Sequence, residues 1–203
     1  MPAPFDLEST IQPGQVLGGR YFVERVLGKG GMGVVVAARH VELNTRFALK
    51  LMRKDAALDE ESVERFLREA RAAVRLKSKH CVQVIDVGRM DDGAPYMVME
   101  LLVGKDLGEL LGESGARAPS EAVDYILQAC EGIAEAHALG IIHRDLKPQN
   151  LFVTRGIDGM PLVKVLDFGL AKTLRTTPEV RALTKKRSAA SPCGTRLFTP
   201  LSR

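Results

Sequence analysis

The octet HRDLKPQN, residues 143–150, lies within the stretch IIHRDLKPQNLFV, residues 141–153, and is the most informative part of the chain. Apolar residues flank the octet on both sides, which predicts a polar loop between two short strands. Asp145 can accept a proton from a hydroxyl group, and Lys147 can neutralise a phosphoryl group. Asn150 can bind magnesium through its amide oxygen. The octet therefore carries residue types suited to phosphoryl transfer.

A second polar motif, LDFG at residues 166–169, begins soon after the octet. Asp167 follows an apolar run and precedes Phe168 and Gly169, so we expect it at the end of a strand. A carboxylate in this place can hold the hard cation that bridges nucleotide phosphates. Taken singly, the octet and this motif are also consistent with a charged loop and a turn aspartate.

A glycine-rich segment, LGKGGMGVVV at residues 27–36, contains Gly28, Gly30 and Gly33 in a GxGxxG spacing. Dinucleotide-binding folds share this spacing, but there the glycines join a strand to a helix. Here β-branched valines follow the last glycine and predict a second strand. A glycine loop between two strands can bring its backbone N–H groups close to phosphates. A plain flexible hairpin is the alternative.

Lys50 and Glu69 are candidates for an ion pair. In FALKLM, residues 47–52, strand alternation places Lys50 with Ala48, opposite the face that we expect to be packed. A lysine there can hold phosphate groups, although a solvated strand lysine shows the same pattern. Glu69 borders the apolar stripe of a helix predicted over residues 59–76 and needs a partner, for which Lys50 is a candidate.

Hydrophobic periodicity predicts a β-rich first part and a more helical second part. Strands are expected at residues 21–27, 34–40, 46–52, 82–87, 96–101, 141–142, 151–153 and 162–166. A second helix is expected over residues 120–138, with Ser120 as its N-cap. We expect its apolar stripe to consist of Val123, Ile126, Leu127, Cys130, Ile133, Ala134 and His137. This order of elements favours an α+β chain with a small β lobe and a helical lobe.

Composition excludes several classes of protein. The 203 residues are 45% hydrophobic and 27% charged, as in globular rather than disordered or fibrous proteins. No apolar run approaches the roughly 18 residues that span a bilayer, and the N-terminus does not resemble a signal peptide, so we expect a cytoplasmic location. Cys81, Cys130 and Cys193 are too widely spaced to suggest a disulfide framework or a zinc site.

The basic excess is confined to one end of the chain. Residues 1–171 contain 21 Lys and Arg against 24 Asp and Glu, whereas residues 172–203 contain 8 against Glu179 alone. The positive charge therefore belongs to a terminal segment rather than to a binding face. We expect no nucleic-acid partner.

The glycine loop, Lys50, Glu69, HRDLKPQN and LDFG occur together in this order. On these motifs the chain resembles the eukaryotic-like (Hanks-type) serine/threonine protein kinases of bacteria, over about residues 20–169. The resemblance implies a two-lobed kinase fold with an incomplete helical C-terminal lobe. The implied divisions are an irregular lead-in (1–19), the N-lobe and hinge (20–102), a partial C-lobe with the catalytic loop and DFG (103–169), and the activation segment with a basic irregular tail (170–203).

The resemblance also implies a reaction, in which the ATP γ-phosphoryl group passes to serine or threonine hydroxyls of a protein substrate with Mg²⁺ as cofactor. Asp145 would be the catalytic base, assisted by Lys147, and Lys50 would bind phosphates while paired with Glu69. Asn150 and Asp167 would bind the metal. The LKP sequence around Lys147 favours serine/threonine over tyrosine specificity. The implied ATP-binding residues are Leu27, Gly28, Lys29, Gly30, Gly31, Met32, Gly33, Val35, Ala48, Lys50, Met99, Glu100, Leu102 and Phe152.

The chain departs from the family near its end. Gly194 and Thr195 match the family, but no APE-like glutamate follows them. We therefore expect a catalytic domain that is incomplete in the activation segment, because of either a truncation or a frameshift. Apolar surface should then be uncovered on its helical lobe. An ATP-binding fragment with little catalysis, acting as a regulatory module, is the alternative function. A nicotinamide-dependent enzyme would instead require a helix after Gly33.

Overall fold

The computed structural model describes residues 11–30 and 33–168, and this part of the chain forms two antiparallel sheets and four α-helices. The strands are β1 (Val16–Leu17), β2 (Tyr21–Gly30), β3 (Gly33–His40), β4 (Arg46–Met52), β5 (Val84–Arg89), β6 (Pro95–Glu100), β7 (Lys105–Asp106), β8 (Leu151–Arg155) and β9 (Pro161–Val165). The helices are α1 (Lys54–Ala57), α2 (Glu60–Ala73), α3 (Leu107–Ser114) and α4 (Pro119–Ala138), and a 3₁₀ turn spans Pro148–Asn150. Expectations for residues 1–10, for Gly31 and Met32, and for residues 169–203 lie outside the described residues.

The larger sheet has the strand order β1-β2-β3-β4-β6-β5 and contains the strands predicted for the small lobe. β2 to β6 occur where alternation predicted strands, within a few residues at each end. The lead-in is not wholly irregular, because Val16–Leu17 pair with Tyr21 and Phe22 of β2. A two-residue strand between glycine turns has no alternation signal, so only its pairing with β2 identifies it.

Helix α2 packs against one face of the larger sheet. Its buried Phe66 and Ala70 belong to the same apolar cluster as Ala48 and Met99. Asp59 caps the helix by accepting a hydrogen bond from the backbone N–H of Ser62, and the chain leaves the helix at Ala73 rather than at residue 76. The expectation that Lys50 lies on an unpacked strand face was wrong, because α2 covers that face.

Helix α4 buries a different face from the one that hydrophobicity predicted. The buried residues are Tyr125, Ala129, Gly132 and Ala136. Of the predicted stripe only Ile133 is half-buried, and Val123, Ile126, Leu127, Cys130, Ala134 and His137 are exposed. The helix also begins one residue earlier, with Ala118 at the N-cap and Pro119 at the first position instead of a Ser120 cap. Small residues allow α4 to approach its neighbours closely. A hydrophobicity pattern does not take the size of a residue into account, so it does not predict this face.

The smaller sheet has the order β7-β8-β9. β8 and β9 match two predicted strands, whereas β7 and the short helix α3 were not predicted. Ile141–Ile142 form no strand, although Ile141 is buried in the core beneath this sheet. Two consecutive apolar residues fit the pattern of a strand even where no partner strand pairs with them. Here the first residue packs into the core, whereas Ile142 is exposed.

The segment between α2 and β5 links the two sheets. The N–H of Val82 donates to the carbonyl of Val165 at 3.0 Å, and the N–H of Val165 donates to the carbonyl of His80 at 2.8 Å. Cys81 and Val165 thus form a parallel bridge. These bonds attach β9 to the chain that enters the larger sheet, and they position the end of β9, where Asp167 follows.

Among the helices described here, none is long and apolar enough to cross a membrane.

Candidate active site

Lys50, Glu69 and Asp167 meet although 117 positions separate the first from the last. The ammonium group of Lys50 lies 2.9 Å from Oε1 of Glu69 and 2.7 Å from Oδ1 of Asp167. Strand β4 supplies the lysine, helix α2 supplies the glutamate, and the aspartate follows β9. Lys50 and Glu69 are largely buried, whereas the side chain of Asp167 is about half exposed. The expected ion pair is therefore present, and it extends to a second carboxylate that faces solvent.

Electrostatics keep Lys50 charged. Burial alone would lower the pKa of its ammonium group, since a buried cation loses hydration. The carboxylates of Asp167 and Glu69 oppose this effect through charge attraction and hydrogen bonds, and together they raise the pKa above the ordinary lysine value. A lysine held in this way is a permanent cation at the base of the site.

The octet forms a loop in which Asp145 is the central acceptor. Nζ of Lys147 lies 2.8 Å from Oδ2 of Asp145, and Nδ2 of Asn150 donates to the same oxygen at 3.2 Å and to the Asp145 carbonyl at 2.7 Å. The hydrogen bond from Lys147 is the main cause of the lowered pKa of Asp145. Asp145 is exposed, so its carboxylate is ionised and open to solvent.

His143 attaches this loop to the segment that carries Asp167. Its Nε2–H donates to the carbonyl of Leu166 at 2.7 Å, and its Nδ1 accepts from the N–H of Asp145 at 3.3 Å. The N–H of Leu166 also donates to the carbonyl of Asn150 at 2.9 Å. Leu166 directly precedes Asp167, so these bonds bring the octet beside the Lys50 cluster.

Two residues of the site have left-handed backbone conformations. Arg144 has φ 64° and Asp167 has φ 42°, values that are costly for residues other than glycine. Each lies next to a residue anchored by a hydrogen bond of the loop. The surrounding bonds therefore hold both residues in these costly conformations.

The glycine-rich segment includes the end of β2 and the start of β3, which pair with each other. Gly28 pairs with Val35, Lys29 with Val34, and Gly30 with Gly33. A side chain at Gly33 would overlap the carbonyl oxygen of Leu51 on the neighbouring strand. Because a strand follows Gly33, the helix required by a nicotinamide-dependent enzyme is absent at this position, and that alternative is wrong.

Several residues expected to bind adenine share one apolar cluster. Ala48 and Met99 are buried in it, and Val35 and Leu102 pack against its edge. Phe152 lies on β8, next to Gly104, which follows the expected hinge at residues 100–102. Leu27 is 38% exposed. Gly31 and Met32 lie outside the described residues.

Glu100 takes part in an interaction that sequence reasoning missed. Its Oε1 accepts a hydrogen bond from Nζ of Lys164 on β9 at 2.6 Å. Lys164 stands within the apolar run LVKVL, residues 162–166. A charged residue amid a buried strand was the available signal, because a buried lysine needs an anionic partner.

The described residues of the site offer few oxygen ligands for a divalent cation, but enough for one that also binds substrate phosphates. No cluster of three or more His, Cys, Asp or Glu side chains that could hold a metal occurs in the described part of the chain. Magnesium is usually bound by one or two carboxylates together with substrate phosphates. Asp167 supplies an accessible carboxylate, and Asn150, whose amide nitrogen is committed to Asp145, can offer its amide oxygen. These residues fit a cation that arrives with a nucleotide.

A cavity of about 1270 Å³ lies apart from these residues. Val34 and Leu51 line it, and their side chains pack on the face of the larger sheet opposite Ala48. Lys50, Glu69 and Asp167 do not contribute to its wall. The cavity is therefore separate from the Lys50, Glu69 and Asp167 cluster, although Lys29, one of the expected ATP-binding residues, contributes to its wall.

Comparisons with known proteins agree with the geometry. The family model described as protein kinase domain matches residues 21–200. The chain is 39% identical over 182 residues to the serine/threonine-protein kinase pkn3 of Myxococcus xanthus, covering 90% of this chain and 33% of that protein. It is 40% identical over 164 residues to the serine/threonine-protein kinase PrkC of Bacillus subtilis strain 168, covering 81% and 24%. The chain thus spans a third or less of the length of these relatives.

A solved structure shows the same fold. The kinase domain of Mycobacterium tuberculosis PknI matches with a TM-score of 0.65 and 32% identity, over 80% of this chain and 64% of that one. The family match also reaches residue 200, beyond the resemblance over residues 20–169. With the kinase motifs, the two-lobed fold and these matches in agreement, the chain belongs to the protein kinase family, among the bacterial Hanks-type serine/threonine kinases.

Proposed function

We propose that this chain is the catalytic part of a protein serine/threonine kinase, which transfers the γ-phosphoryl group of ATP to protein hydroxyls with Mg²⁺. The observation that carries the proposal is the convergence of Lys50, Glu69 and Asp167 beside the Asp145 loop. Lys50 would supply a cation, Asp167 an exposed carboxylate for the metal, and Asp145 a base. These are the parts that phosphoryl transfer requires, since its catalysis is mainly positioning and charge stabilisation.

Lys50 would hold the α- and β-phosphates of the nucleotide. Glu69 keeps the lysine aligned and charged, so the ammonium group is ready before the nucleotide arrives. The backbone N–H groups of the hairpin around Gly28, Gly30 and Gly33 would lie over the phosphates. Asn150 and Asp167 would hold Mg²⁺, which supplies neutralisation of the phosphate charge when bound.

Asp145 would act as the catalytic base. Its carboxylate accepts the proton of a serine or threonine hydroxyl while the hydroxyl oxygen forms a bond to the γ-phosphorus. The bond between that phosphorus and the bridging oxygen of ADP breaks, and ADP leaves. Lys147, already 2.8 Å from Asp145, would stabilise the negative charge of the transferred group. The low pKa of Asp145 ensures that the base is ionised at neutral pH.

Adenine would lie between Val35 and Ala48 above and Phe152 below, with Met99 as the gatekeeper. The backbone of residues 100–102 would read its edge, and Leu27 would close the rim. We place the reaction in the cytoplasm, where ATP is available and the free thiols Cys81 and Cys130 stay reduced. The regulatory-fragment alternative is less well supported, because a non-catalytic module has no need of the Asp145, Lys147 and Asn150 arrangement.

Nucleotide binding tests the first half of the proposal. Magnesium–ATP should raise the melting temperature of the full 203-residue chain, because a ligand that binds only the folded state stabilises it. Asp167→Ala should abolish the magnesium-dependent part of the shift. Glu113→Ala, an exposed acidic residue on α3, serves as the control and should leave the shift unchanged. An equal shift in wild type and Asp167→Ala would contradict the metal-binding role.

Autophosphorylation tests the second half. Wild type should incorporate phosphate from ATP into serine or threonine, and Asp145→Asn should lose at least a hundredfold in rate, in line with the contribution of a general base of about 10² to 10⁴. The variant should still bind nucleotide, which separates catalysis from binding. Equal incorporation by wild type and Asp145→Asn would rule out Asp145 as the base.

A further inference from the structure

A buried ion pair links the expected hinge to the smaller sheet. Nζ of Lys164 on β9 lies 2.6 Å from Oε1 of Glu100 at the end of β6. The Lys164 side chain is only 8% exposed and that of Glu100 is 27% exposed. A lysine so deeply buried is costly unless it is paired, so this contact constrains where the two strands lie relative to each other.

Glu100 is held by its main chain as well as by its side chain. The carboxylate oxygen that accepts from Lys164 also accepts from the N–H of Gln83 at 2.8 Å, and the N–H of Glu100 donates to the carbonyl of Gln83 at 3.0 Å. Two donors therefore converge on one carboxylate oxygen. Residue 100 has little freedom to shift while both bonds are present.

The other end of the pair leads to the expected adenine floor. Lys164 is directly opposite Phe152 in the β8–β9 ladder. Directly opposed residues of an antiparallel pair extend to the same face of the sheet. The pair thus joins Glu100, which begins the expected hinge, to the strands that hold Phe152, and it is separate from the Lys50, Glu69 and Asp167 cluster.

We propose that Lys164 is a positioning residue, which acts through Glu100 to set the spacing between residues 100–102 and β8, the two walls of the adenine site. The inference rests on the proposed function, since it assigns Lys164 a part in nucleotide binding. Loss of Lys164 leaves the partly buried Glu100 carboxylate without its cation, so that residues 100–102 move to let the carboxylate reach water. The catalytic groups are untouched, so the effect falls on nucleotide affinity.

The test compares four variants of the ion pair and one control variant, all in the full chain, with wild type. Lys164→Met removes the cation, Glu100→Gln removes the anion, and the double variant Lys164→Met/Glu100→Gln removes both charges, so that no buried charge is left alone. Lys164→Arg retains the charge. Glu113→Gln is the matched control, because Glu113 also accepts from a lysine at 2.6 Å but lies exposed on α3.

Two readouts are measured at a temperature at which every variant is folded. The first is the dissociation constant for magnesium with a non-hydrolysable ATP analogue. The second is hydrogen–deuterium exchange of the amides of Leu101, Leu102 and Val103 in the nucleotide-free protein. We expect Lys164→Met and the double variant to weaken nucleotide binding about tenfold and to speed hinge exchange, whereas Lys164→Arg and Glu113→Gln stay close to wild type.

The double variant separates positioning from folding. It should regain thermal stability relative to Lys164→Met, because it has no unpaired buried charge, yet keep the weak nucleotide binding and fast exchange. Wild-type affinity and wild-type exchange in the double variant would overturn the inference. If wild type binds no nucleotide, the proposed function fails, and the exchange comparison still decides whether Lys164 holds the hinge.

Discussion

Asp145 illustrates how single side chains determine the chemistry of this site. Its carboxylate accepts from Lys147 and Asn150, and Lys147 is the main cause of its lowered pKa. Both side chains are about half exposed, so the charges interact through solvent as well as directly. The protonation state of the proposed base therefore depends on a neighbour only two positions away.

Replacing Lys147 with Met should raise the pKa of Asp145 toward the ordinary aspartate value of about 3.9, because the carboxylate loses its main donor. The Asp145 carboxyl carbon can be followed by NMR as the pH is lowered. A higher titration midpoint in Lys147→Met than in wild type is the expected result. Lys147→Arg keeps the charge and should titrate like wild type, and an unchanged midpoint in Lys147→Met would contradict the assignment.

The cysteines Cys81 and Cys130 should differ in reactivity. Burial, with a smaller effect from Glu135, raises the pKa of the Cys81 thiol to about 12, so almost no thiolate forms at neutral pH. Cys130 is exposed on α4. Iodoacetamide at pH 7.5 followed by peptide mapping should find Cys130 alkylated and Cys81 intact until the protein is denatured. Comparable alkylation rates at the two residues in the native protein would contradict the buried position of Cys81.

At the scale of elements, α4 depends on a close approach that one glycine permits. A Cβ atom at Gly132 would lie 2.8 Å from the carbonyl oxygen of His80 and 3.1 Å from Sγ of Cys81. The segment around His80 also carries the backbone bonds to β9. The contact between α4 and this segment thus supports the strand that ends near Asp167.

Gly132→Ala should destabilise the protein by about 1–3 kcal/mol, because the added methyl group overpacks the interface. Gly112→Ala is the matched control: Gly112 is also helical, and a Cβ there meets nothing within 4 Å. That change should stabilise by about 0.5–1 kcal/mol, because alanine favours helices over glycine. Chemical denaturation measures both effects. Stabilisation by Gly132→Ala would show that α4 can move away from His80 without cost.

At the scale of the whole molecule, the described part of the chain leaves an apolar face of α4 uncovered. Val123, Ile126 and Leu127 are each more than half exposed. Adjacent exposed apolar side chains form a surface that favours association, unlike single exposed residues scattered over a protein. Their exposure agrees with the expectation of apolar surface on the helical lobe, whereas the expected cause, a truncation, stays a prediction.

Replacing Ile126 and Leu127 together with Gln should reduce self-association of the full chain. We expect wild type to form larger species at micromolar concentration and the double variant to shift toward monomer in sedimentation velocity experiments. Leu43→Gln, at an exposed residue of the β3–β4 turn, is the control and should leave the distribution unchanged. A monomeric wild type at these concentrations would contradict the prediction.

Much of the small lobe could be predicted because its signals are local. β3 and β4 follow from alternation, and the strand after Gly33 follows from three consecutive valines. Helix α4 was predicted nearly to its ends, but its buried face was predicted wrongly. Period and capping depend on neighbours in sequence, whereas the buried face depends on which surface reaches His80 and Cys81.

The sequence by itself determined which chemical groups are available, because HRDLKPQN, LDFG, Lys50 and Glu69 can be read without coordinates. Only the tertiary structure decided that Lys50 contacts Asp167 and that Lys164 reaches Glu100. The physical reason is that these contacts join residues 117 and 64 positions apart. Such pairs form through strand register and helix packing, and neither is encoded in the local pattern around any one residue.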